Sequence, residues 1–174
     1  RIYKAFKDAG YQLRIEPYLL DASTMGVPQR RRRVFFIALR NDIADPFMEQ
    51  VDMFQQAPKL DLEFKEKEIA SNTFLEKNAI RRGLTPSVQS LYDKRNDNEW
   101  CLGETAERIG KRSHFNYMVI NPSKPLFTIT GGGYLIHENG FLTKKEFILG
   151  GTYPIDYNFQ ENKPHYLIGM SVPP

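Results

Sequence analysis

The sequence predicts an α/β fold in which a helix and neighbouring strands form the edge of a sheet. Residues 1–41 follow the pattern helix, strand, loop, strand, which is typical of such an edge. Between residue 42 and about residue 126 the apolar density falls and the periodicity is lost. This pattern indicates either a small irregular domain or a long excursion from the first one. A helix signal returns at Thr143, where we expect a third part to begin.

The opening helix is predicted from Ile2 and Phe6, which have helical spacing, and from Gly10, which stands where a C-terminal cap is expected. Residues 11–20 then show the alternation of a strand. Because this strand region and the next one, at residues 29–39, are close in sequence, we expect them to be antiparallel neighbours.

Residues 29–39 are predicted to form a buried strand with a cationic entrance. Gly26 and Pro28 mark a turn before it, and four consecutive arginines follow at residues 30–33. The six apolar residues at 34–39 are long enough for a strand and too short for most helices.

The arginine run divides into two faces, because side chains alternate along a strand. Gln29, Arg31 and Arg33 share one face, whereas Arg30 and Arg32 take the other. Guanidiniums near a dry sheet interior need partners for their donors. We therefore expect the first face to hold an anionic or carbonyl-rich group and the second to meet phosphate or solvent.

The middle segment carries basic residues among aromatic ones. This composition suits nucleic acid, but a small core with a polar rim has the same composition, and for any single cluster the structural interpretation is favoured. The residues concerned are Arg81, Arg82, Lys94, Arg95 and Arg112 with Tyr92, Trp100, Phe115 and Tyr117.

Three glycines at residues 131–133 follow a β-favouring run at residues 125–130. They let the backbone turn freely and approach another surface closely. They lack the Lys-Ser or Lys-Thr of a phosphate-binding P-loop, so that function is rejected. Further on, Thr143 and Glu146 have the spacing of a capping box, which predicts a helix there.

Composition limits the class of protein. The chain has 174 residues, a net charge of +3 and a pI of about 8.9, so any preference for nucleic acid must come from local clusters. A single cysteine, Cys101, excludes internal disulfides and fits a reducing compartment. Since we find neither a membrane-spanning run nor a signal peptide, we expect a soluble, cytoplasmic protein. The chain begins at Arg1 within a helical pattern, and we expect a fragment.

Taken in order, these segments resemble the C-terminal half of a DNA (cytosine-5) methyltransferase. Residues 26–33, Gly-Val-Pro-Gln followed by four arginines, resemble the family's eighth motif, Gly-Val-Pro-Gln-x-Arg-x-Arg. Residues 142–146 and 153–157 resemble the ninth motif, and residues 168–174 resemble the tenth. Residues 128–130, Thr-Ile-Thr, are similar to a short signature of the family's target-recognition domain.

The resemblance implies the C-terminal part of a Rossmann-like methyltransferase sheet plus a small, mostly β or irregular target-recognition domain. Residues 1–41 would supply the last helix and strands of the catalytic domain, and residues 42–140 the target-recognition domain. Residues 141–174 would return to the catalytic domain. The implied activity is transfer of a methyl group from S-adenosylmethionine to C5 of a flipped cytosine, in a bacterial or phage restriction-modification system.

The resemblance also implies roles for individual residues. Arg33 would stabilise charge on the cytosine ring, while Gln29 and Arg31 would order the catalytic loop and the target nucleotide. Gly169 and Ser171 would lie beside S-adenosylmethionine, and no metal is implied. Contacts with double-stranded DNA would come from Arg30, Arg32, Arg112, Thr128, Thr130, Gly131, Gly132 and Gly133.

Two positions depart from the family pattern, and three family motifs are not in the sequence. Lys145 stands where the family usually has arginine, and Met170 where it usually has asparagine. The sequence contains neither the Phe-x-Gly-x-Gly cofactor turn, nor the Pro-Cys nucleophile, nor the Glu-Asn-Val; Cys101 is interpreted as an ordinary packed cysteine. We therefore expect this chain to be inactive unless an N-terminal half is supplied, in the same polypeptide or as a separate subunit.

Two alternatives to a DNA methyltransferase stay open. One is a DNA-binding module without chemistry, and the other is methylation of tRNA cytosine by the same fold. The long middle segment favours DNA, because a reader of duplex sequence needs such a domain.

Overall fold

The computed structural model describes residues 1–14, 16–111, 117–138 and 140–174. The α-helices in this part of the chain are α1 Ile2–Asp8, α2 Asn41–Ala44, α3 Pro86–Tyr92, α4 Leu102–Arg108, α5 Lys144–Gly150 and α6 Pro164–Met170. Its strands are β1 Tyr11–Leu13, β2 Tyr18–Asp21, β3 Arg32–Phe35, β4 Ala38–Arg40, β5 Met48–Gln50, β6 Gln56–Pro58, β7 Met118–Val119, β8 Leu135–His137 and β9 Gly140–Phe141. Short 3-10 helices occupy Ala22–Thr24, Asp45–Phe47 and Ser71–Thr73.

The chain forms two compact units. Unit 1 contains residues 1–21 and 32–65, and unit 2 contains residues 22–31 and 66–174. These limits do not coincide with the functional boundaries expected after residues 41 and 140, and that functional division stays a prediction. None of the described helices is long and apolar enough to cross a membrane.

Unit 1 contains helices α1 and α2 and three antiparallel strand pairs, β1 with β4, β2 with β3 and β5 with β6. The predicted antiparallel pairing of β2 with β3 is confirmed, with Leu20 opposite Arg33. The prediction of one buried strand at residues 29–39 is wrong. The strand is interrupted between Phe35 and Ala38, so that β3 pairs with β2 and β4 pairs with β1. Val34 is also 55% exposed, since a two-stranded ribbon leaves one face open.

The first helix ends as the sequence predicts. Gly10 has a φ of +84°, a left-handed conformation in which glycine avoids the steric cost of a side chain. Its N–H donates to Lys7 O over 3.0 Å and so satisfies a carbonyl of the last helical turn. Gly10 O then accepts from Asn41 N over 3.0 Å, which joins the start of β1 to the end of β4.

Unit 2 contains two clusters of buried apolar side chains. The first consists of Ile120, Leu126, Ile129, Leu135, Leu142, Phe147, Ile148, Phe159 and Ile168. The second consists of Val88, Leu91, Leu102, Ala106, Val119, Ile136 and Phe141. Strands β7, β8 and β9 form a three-stranded sheet, with β7 parallel and β9 antiparallel to β8.

Helices α3 and α4 are two short helices, not predicted from the sequence, in a middle segment that otherwise consists mostly of short strands and irregular structure. Each helix has seven residues, too few for a periodicity that is measured over 11 to 18 residues to reveal it. The available signal was Pro86 at the first helical position. Tyr92 and Trp100 pack against the second cluster, and the Arg95 guanidinium lies over both rings at 5.2 and 5.9 Å. For this basic and aromatic cluster the structural interpretation therefore holds.

Helix α5 begins with the predicted capping box. Thr143 Oγ1 accepts from Glu146 N over 3.2 Å, and Thr143 N donates to Glu146 Oε2 over 2.8 Å. The helix ends at Gly150. The capping carboxylate is fully buried, so it needs further donors.

Glu99, in the loop that joins α3 to α4, is expected to make unit 2 sensitive to acid. The Arg108 guanidinium, which donates to Glu99 over 2.9 Å, lowers the pKa of this carboxyl from 4.5 to about 2, and donation from Asn96 N–H also lowers it. Because the folded pKa lies below the unfolded one, the ionised group stabilises the fold above pH 4.5, and this stability is lost as the pH falls towards 2.

We therefore expect Glu99→Gln to flatten the dependence of stability on pH between 4.5 and 2. Urea unfolding midpoints, measured across this range, test the expectation. Glu107→Gln, which changes an exposed carboxyl on α4, is the matched control. Parallel acid profiles for the wild type and Glu99→Gln would contradict the assignment.

Candidate functional site

Gln29 ties three parts of unit 2 together. The residue is fully buried; its Nε2 donates to Gly150 O over 3.2 Å, and its Oε1 accepts from Ile129 N over 3.1 Å. An amide is the side chain that donates and accepts at once. The backbone of Gln29 also bridges to Leu126 in parallel. Gln29 therefore holds the segment before the glycines against the end of α5.

Arg31 makes a second set of connections. It is 2% exposed, and its Nη1 donates to Ile129 O over 2.9 Å. Its Nη2 donates to Gly169 O over 2.8 Å and to Ser171 O over 2.6 Å. These last two carbonyls lie at the C-terminal end of α6, where a helix leaves carbonyl groups unsatisfied. We call the hydrogen bonds of these two side chains the Gln29–Arg31 clasp.

The clasp brings together the segments that the sequence singled out separately. The turn and arginines, the Thr-Ile-Thr segment, the end of α5 and the end of α6 all meet at these two side chains. The sequence predicted that this face would hold a carbonyl-rich group. In the described structure, the carbonyl groups that Gln29 and Arg31 bind are backbone carbonyls of the chain itself.

The other arginines of the run differ in their partners. Burial alternates as predicted, since Gln29 and Arg31 are buried, Arg33 is half-buried, and Arg30 and Arg32 are exposed. The two exposed arginines pair with Glu68 and Asp21, at 3.5 and 3.2 Å respectively.

Arg33 differs from its neighbours because its Nη1 donates to the backbone oxygen of Arg32 over 2.7 Å, and it forms no ion pair within the described residues. It belongs to unit 1, whereas Gln29 and Arg31 belong to unit 2. The convergence of all three on one substrate therefore stays a prediction.

The predicted DNA-contacting threonines have different surroundings. Thr128 is half-buried, and its Oγ1 donates to Arg30 O over 2.7 Å. Thr130 is exposed, and its carbonyl accepts from Gly133 N over 3.0 Å. Their contacts with DNA stay predictions, and Arg112 lies outside the described residues.

The three glycines allow the close approach that the sequence predicted, and the surfaces approached belong to the same chain. A side chain at Gly132 would collide with the Tyr134 ring, and one at Gly133 would come within 2.9 Å of the His165 ring. A side chain at Gly169 would collide with the backbone of Gly131. Glycine is thus needed at residue 169, where backbone blocks a side chain, and favoured at residue 133, whose φ is +62°, whatever the segment binds.

Arg81 is a site residue that the sequence did not assign. Its Nη2 donates to the buried Glu146 carboxylate and to Glu76 O, and its Nη1 pairs with Glu138 at 3.0 Å. Lys145, where the family usually has arginine, pairs instead with Glu76 at 2.8 Å. Arg81 lies 65 residues before Glu146, so no local sequence pattern could have joined them.

Comparison with known proteins identifies the family. The family model described as C-5 cytosine-specific DNA methylase matches residues 1–174. The Type II methyltransferase M.BbvI of Brevibacillus brevis is 27% identical over 184 residues, which cover 94% of this chain and 46% of that protein. The chain thus spans about half the length of this curated relative.

Solved structures share the fold. A triple mutant of Spodoptera frugiperda DNMT2 superposes with a TM-score of 0.59 at 16% identity, over 97% of this chain and 56% of that one. The Entamoeba histolytica methyltransferase EhMeth gives 0.56 at 14% identity, over 99% and 52%. The methyltransferase resemblance of the sequence is confirmed: the chain belongs to the C-5 cytosine-specific DNA methylase family.

Proposed function

We propose that this chain is the target-recognition part, with the eighth to tenth motifs, of an enzyme that methylates C5 of a flipped cytosine in double-stranded DNA. Membership of the family implies S-adenosylmethionine as the methyl donor. We further propose that the enzyme acts in a restriction-modification system and that a second segment, in the same polypeptide or in another subunit, supplies the nucleophile and the remaining cofactor site.

The observation that supports the proposal is that Arg33, unlike the other arginines at residues 30–32, has neither an ion pair nor a set of backbone acceptors from distant parts of the described chain. Arg31 is committed to backbone carbonyls, and the charges of Arg30 and Arg32 are balanced by carboxylates. Arg33 is half-buried and forms no ion pair in the described part of the chain. A partly desolvated guanidinium without an anion has a strong preference for a negatively charged partner. A substrate on which negative charge develops would provide that partner.

Arg33 would act on the cytosine ring during nucleophilic attack. A thiolate adds to C6 of the flipped base, and the electron pair of the double bond moves towards O2 and N3. A fixed cation beside O2 stabilises this charge, which is greater in the transition state than in the bound substrate. Cys101, the one cysteine of the sequence, is partly buried and bridges to Met118, so we do not assign it as the nucleophile.

The proposed cofactor contacts lie at the end of α6. Ser171 Oγ donates to Ile168 O over 3.0 Å, and Ser171 N donates to Leu167 O over 3.0 Å. Both donors are thus already used, and contact with the methionine carboxylate requires the hydroxyl to rotate away from the helix. Gly169 packs against the Gly131 backbone. Contact of Gly169 and Ser171 with S-adenosylmethionine therefore stays a prediction, and no step depends on it.

A methyl-transfer assay tests the proposed function. The complete methyltransferase and the isolated chain are each incubated with labelled S-adenosylmethionine, with duplex DNA or with tRNA. We expect the complete protein to label DNA and the isolated chain to label neither substrate, because the nucleophile motif is not in its sequence.

The complete protein with its nucleophilic cysteine changed to serine is the control. Transfer of label by the isolated chain would overturn the proposal that a second segment supplies the nucleophile. Labelling of tRNA in preference to DNA would support the RNA alternative, and DNA binding by an inactive complete protein would support the non-catalytic one.

A further inference from the structure

A basic pocket in unit 2 has no role in the reaction described above. Its volume is about 440 Å³. Its basic side chains come from three separate parts of the chain, with Phe141 and Phe147 as an aromatic wall and Gly132 and Gly133 at its edge. We define the basic pocket by its four basic residues, Arg82, Lys144, Lys163 and His165.

The cations of this pocket are unpaired, unlike their immediate neighbours. Arg81 and Lys145 are each bound to glutamates. Arg82 and Lys144, the residues next to them, form no ion pair in the part of the chain that the structure describes, and neither does Lys163. In each of these two pairs of adjacent basic residues, one member is bound to glutamate within the fold, and the other lines the pocket.

The electrostatic surroundings of His165 agree with this distribution. Its ring packs beside Phe147, with 5.1 Å between centroids. Burial lowers the pKa of His165 below its ordinary value of 6.5, and the positive charges of Lys163 and Arg82 lower it further. No carboxylate contributes an opposing effect to this shift. A pocket that disfavours one more positive charge favours an anion for the same reason.

Arg82 is held in a position suited to an anion. Its guanidinium lies 4.5 Å from the centre of the Phe141 ring, and stacking of this kind restricts the side chain while leaving its edge donors available. Lys144 and Lys163 add flexible ammonium groups. A planar donor fork with two point charges matches the oxygens of a phosphate group.

We propose that the basic pocket binds a phosphate group of the DNA backbone. The pocket is larger than one phosphate requires, so it leaves room for part of the attached deoxyribose. Such a contact positions the duplex without reading its sequence. This inference rests on the proposed function, because it names how the target-recognition part holds its DNA, and it adds three cations to the contacts predicted from the sequence.

The salt dependence of DNA binding tests the proposal in the complete methyltransferase. Each phosphate contact that is lost reduces the slope of log Kd against log salt by about 0.9. The triple variant Arg82→Gln, Lys144→Gln and Lys163→Gln removes the cations that hold this one phosphate, so it is expected to lose about 0.9 units of slope. All three side chains are exposed, so the fold should persist, and far-ultraviolet circular dichroism verifies this.

The matched control removes the same net charge from paired lysines. Lys59→Gln, Lys65→Gln and Lys145→Gln together change three ammonium groups that are already bound to glutamates. The slope of this control should remain close to that of the wild type. The proposal would be overturned if the triple variant of Arg82, Lys144 and Lys163, which we call the basic-pocket variant, kept the slope of the wild type. An equal loss of slope in this variant and in the control would also overturn it.

A second measurement separates this inference from the proposed function. Pyrophosphate is titrated into the protein, and the ring resonances of His165 are followed by NMR. Shifts in the wild type that are absent from the basic-pocket variant, together with the loss of slope, support the proposal. The same shifts with an unchanged DNA slope would assign the pocket to a free phosphate compound and overturn the DNA assignment. A wild type that binds no DNA would instead refute the proposed function.

Discussion

Replacement of Arg33 by alanine is expected to lower the rate of methyl transfer by about 10²- to 10³-fold, the usual effect of removing one donor that stabilises a developing anion. The effect is large because Arg33 is half-buried and its charge is not balanced by a carboxylate in the described residues. Since the stabilised charge develops only as the thiolate attacks, binding of duplex DNA should change far less than the rate. Single-turnover rates and Kd for duplex DNA, measured on the complete enzyme, give the two quantities separately.

Arg32→Ala is the matched control, because Arg32 is the adjacent residue, is exposed and pairs with Asp21. A surface pair of this kind contributes about 0–1 kcal/mol, so this variant should keep its fold and its single-turnover rate on bound DNA. Because Arg32 is itself an expected DNA contact, any change should appear in the Kd for duplex DNA. Arg33→Lys retains the charge but loses the planar donor fork, and an intermediate rate is expected. Unchanged turnover in Arg33→Ala would remove Arg33 from the mechanism, and equal losses of rate and DNA binding would make it a binding residue.

The parts of the fold that the sequence predicted correctly depend on neighbours within a few residues. Alternating burial along residues 29–33, the left-handed Gly10 and the Thr143–Glu146 capping box were all predicted and are all present. In each case the cause is local, since it is the period of a strand, the missing Cβ of glycine or a side chain that reaches the nearest free N–H.

The parts that could not be predicted depend on partners far away along the chain. The acceptors of Arg31 lie 98 to 140 residues from it, and Arg81 lies 65 residues from Glu146. The break after Phe35 is also a tertiary effect, because β3 and β4 follow different partner strands. An apolar run indicates that a strand is favoured, but not which strand it will pair with.

The clasp adds a structural role to the one expected of Arg31, which stays a prediction. The sequence alone indicated an arginine that holds an anionic or carbonyl-rich group, and the resemblance indicated an arginine that orders the catalytic loop and the target nucleotide. In the structure its Nη1 and Nη2 donate to the carbonyls of Ile129, Gly169 and Ser171. We therefore propose that Arg31 is a positioning residue, which holds the end of α6 against the segment that precedes the glycines.

Arg31→Met is expected to destabilise the protein by about 3 kcal/mol or more, because three carbonyl acceptors lose their donor and each such buried group costs about 1–3 kcal/mol. Arg31→Lys should recover part of this loss, since one ammonium cannot reproduce the geometry of two guanidinium nitrogens. Unfolding in guanidinium chloride measures the effect, through the shift in the denaturant concentration at the midpoint. Arg30→Met, an exposed neighbour, is the control and should stay within about 0.5 kcal/mol of the wild type.

Stability and rate together distinguish a positioning role from contact with the target nucleotide. If Arg31 acts through the clasp, the loss of activity in Arg31→Lys should follow its loss of stability, and lower temperature should restore part of both. Gln29→Leu, which removes the other half of the clasp, should then behave in the same way. An Arg31→Lys enzyme with wild-type stability and a greatly reduced rate would contradict the positioning role, because only direct contact with the nucleotide separates the two quantities in this way.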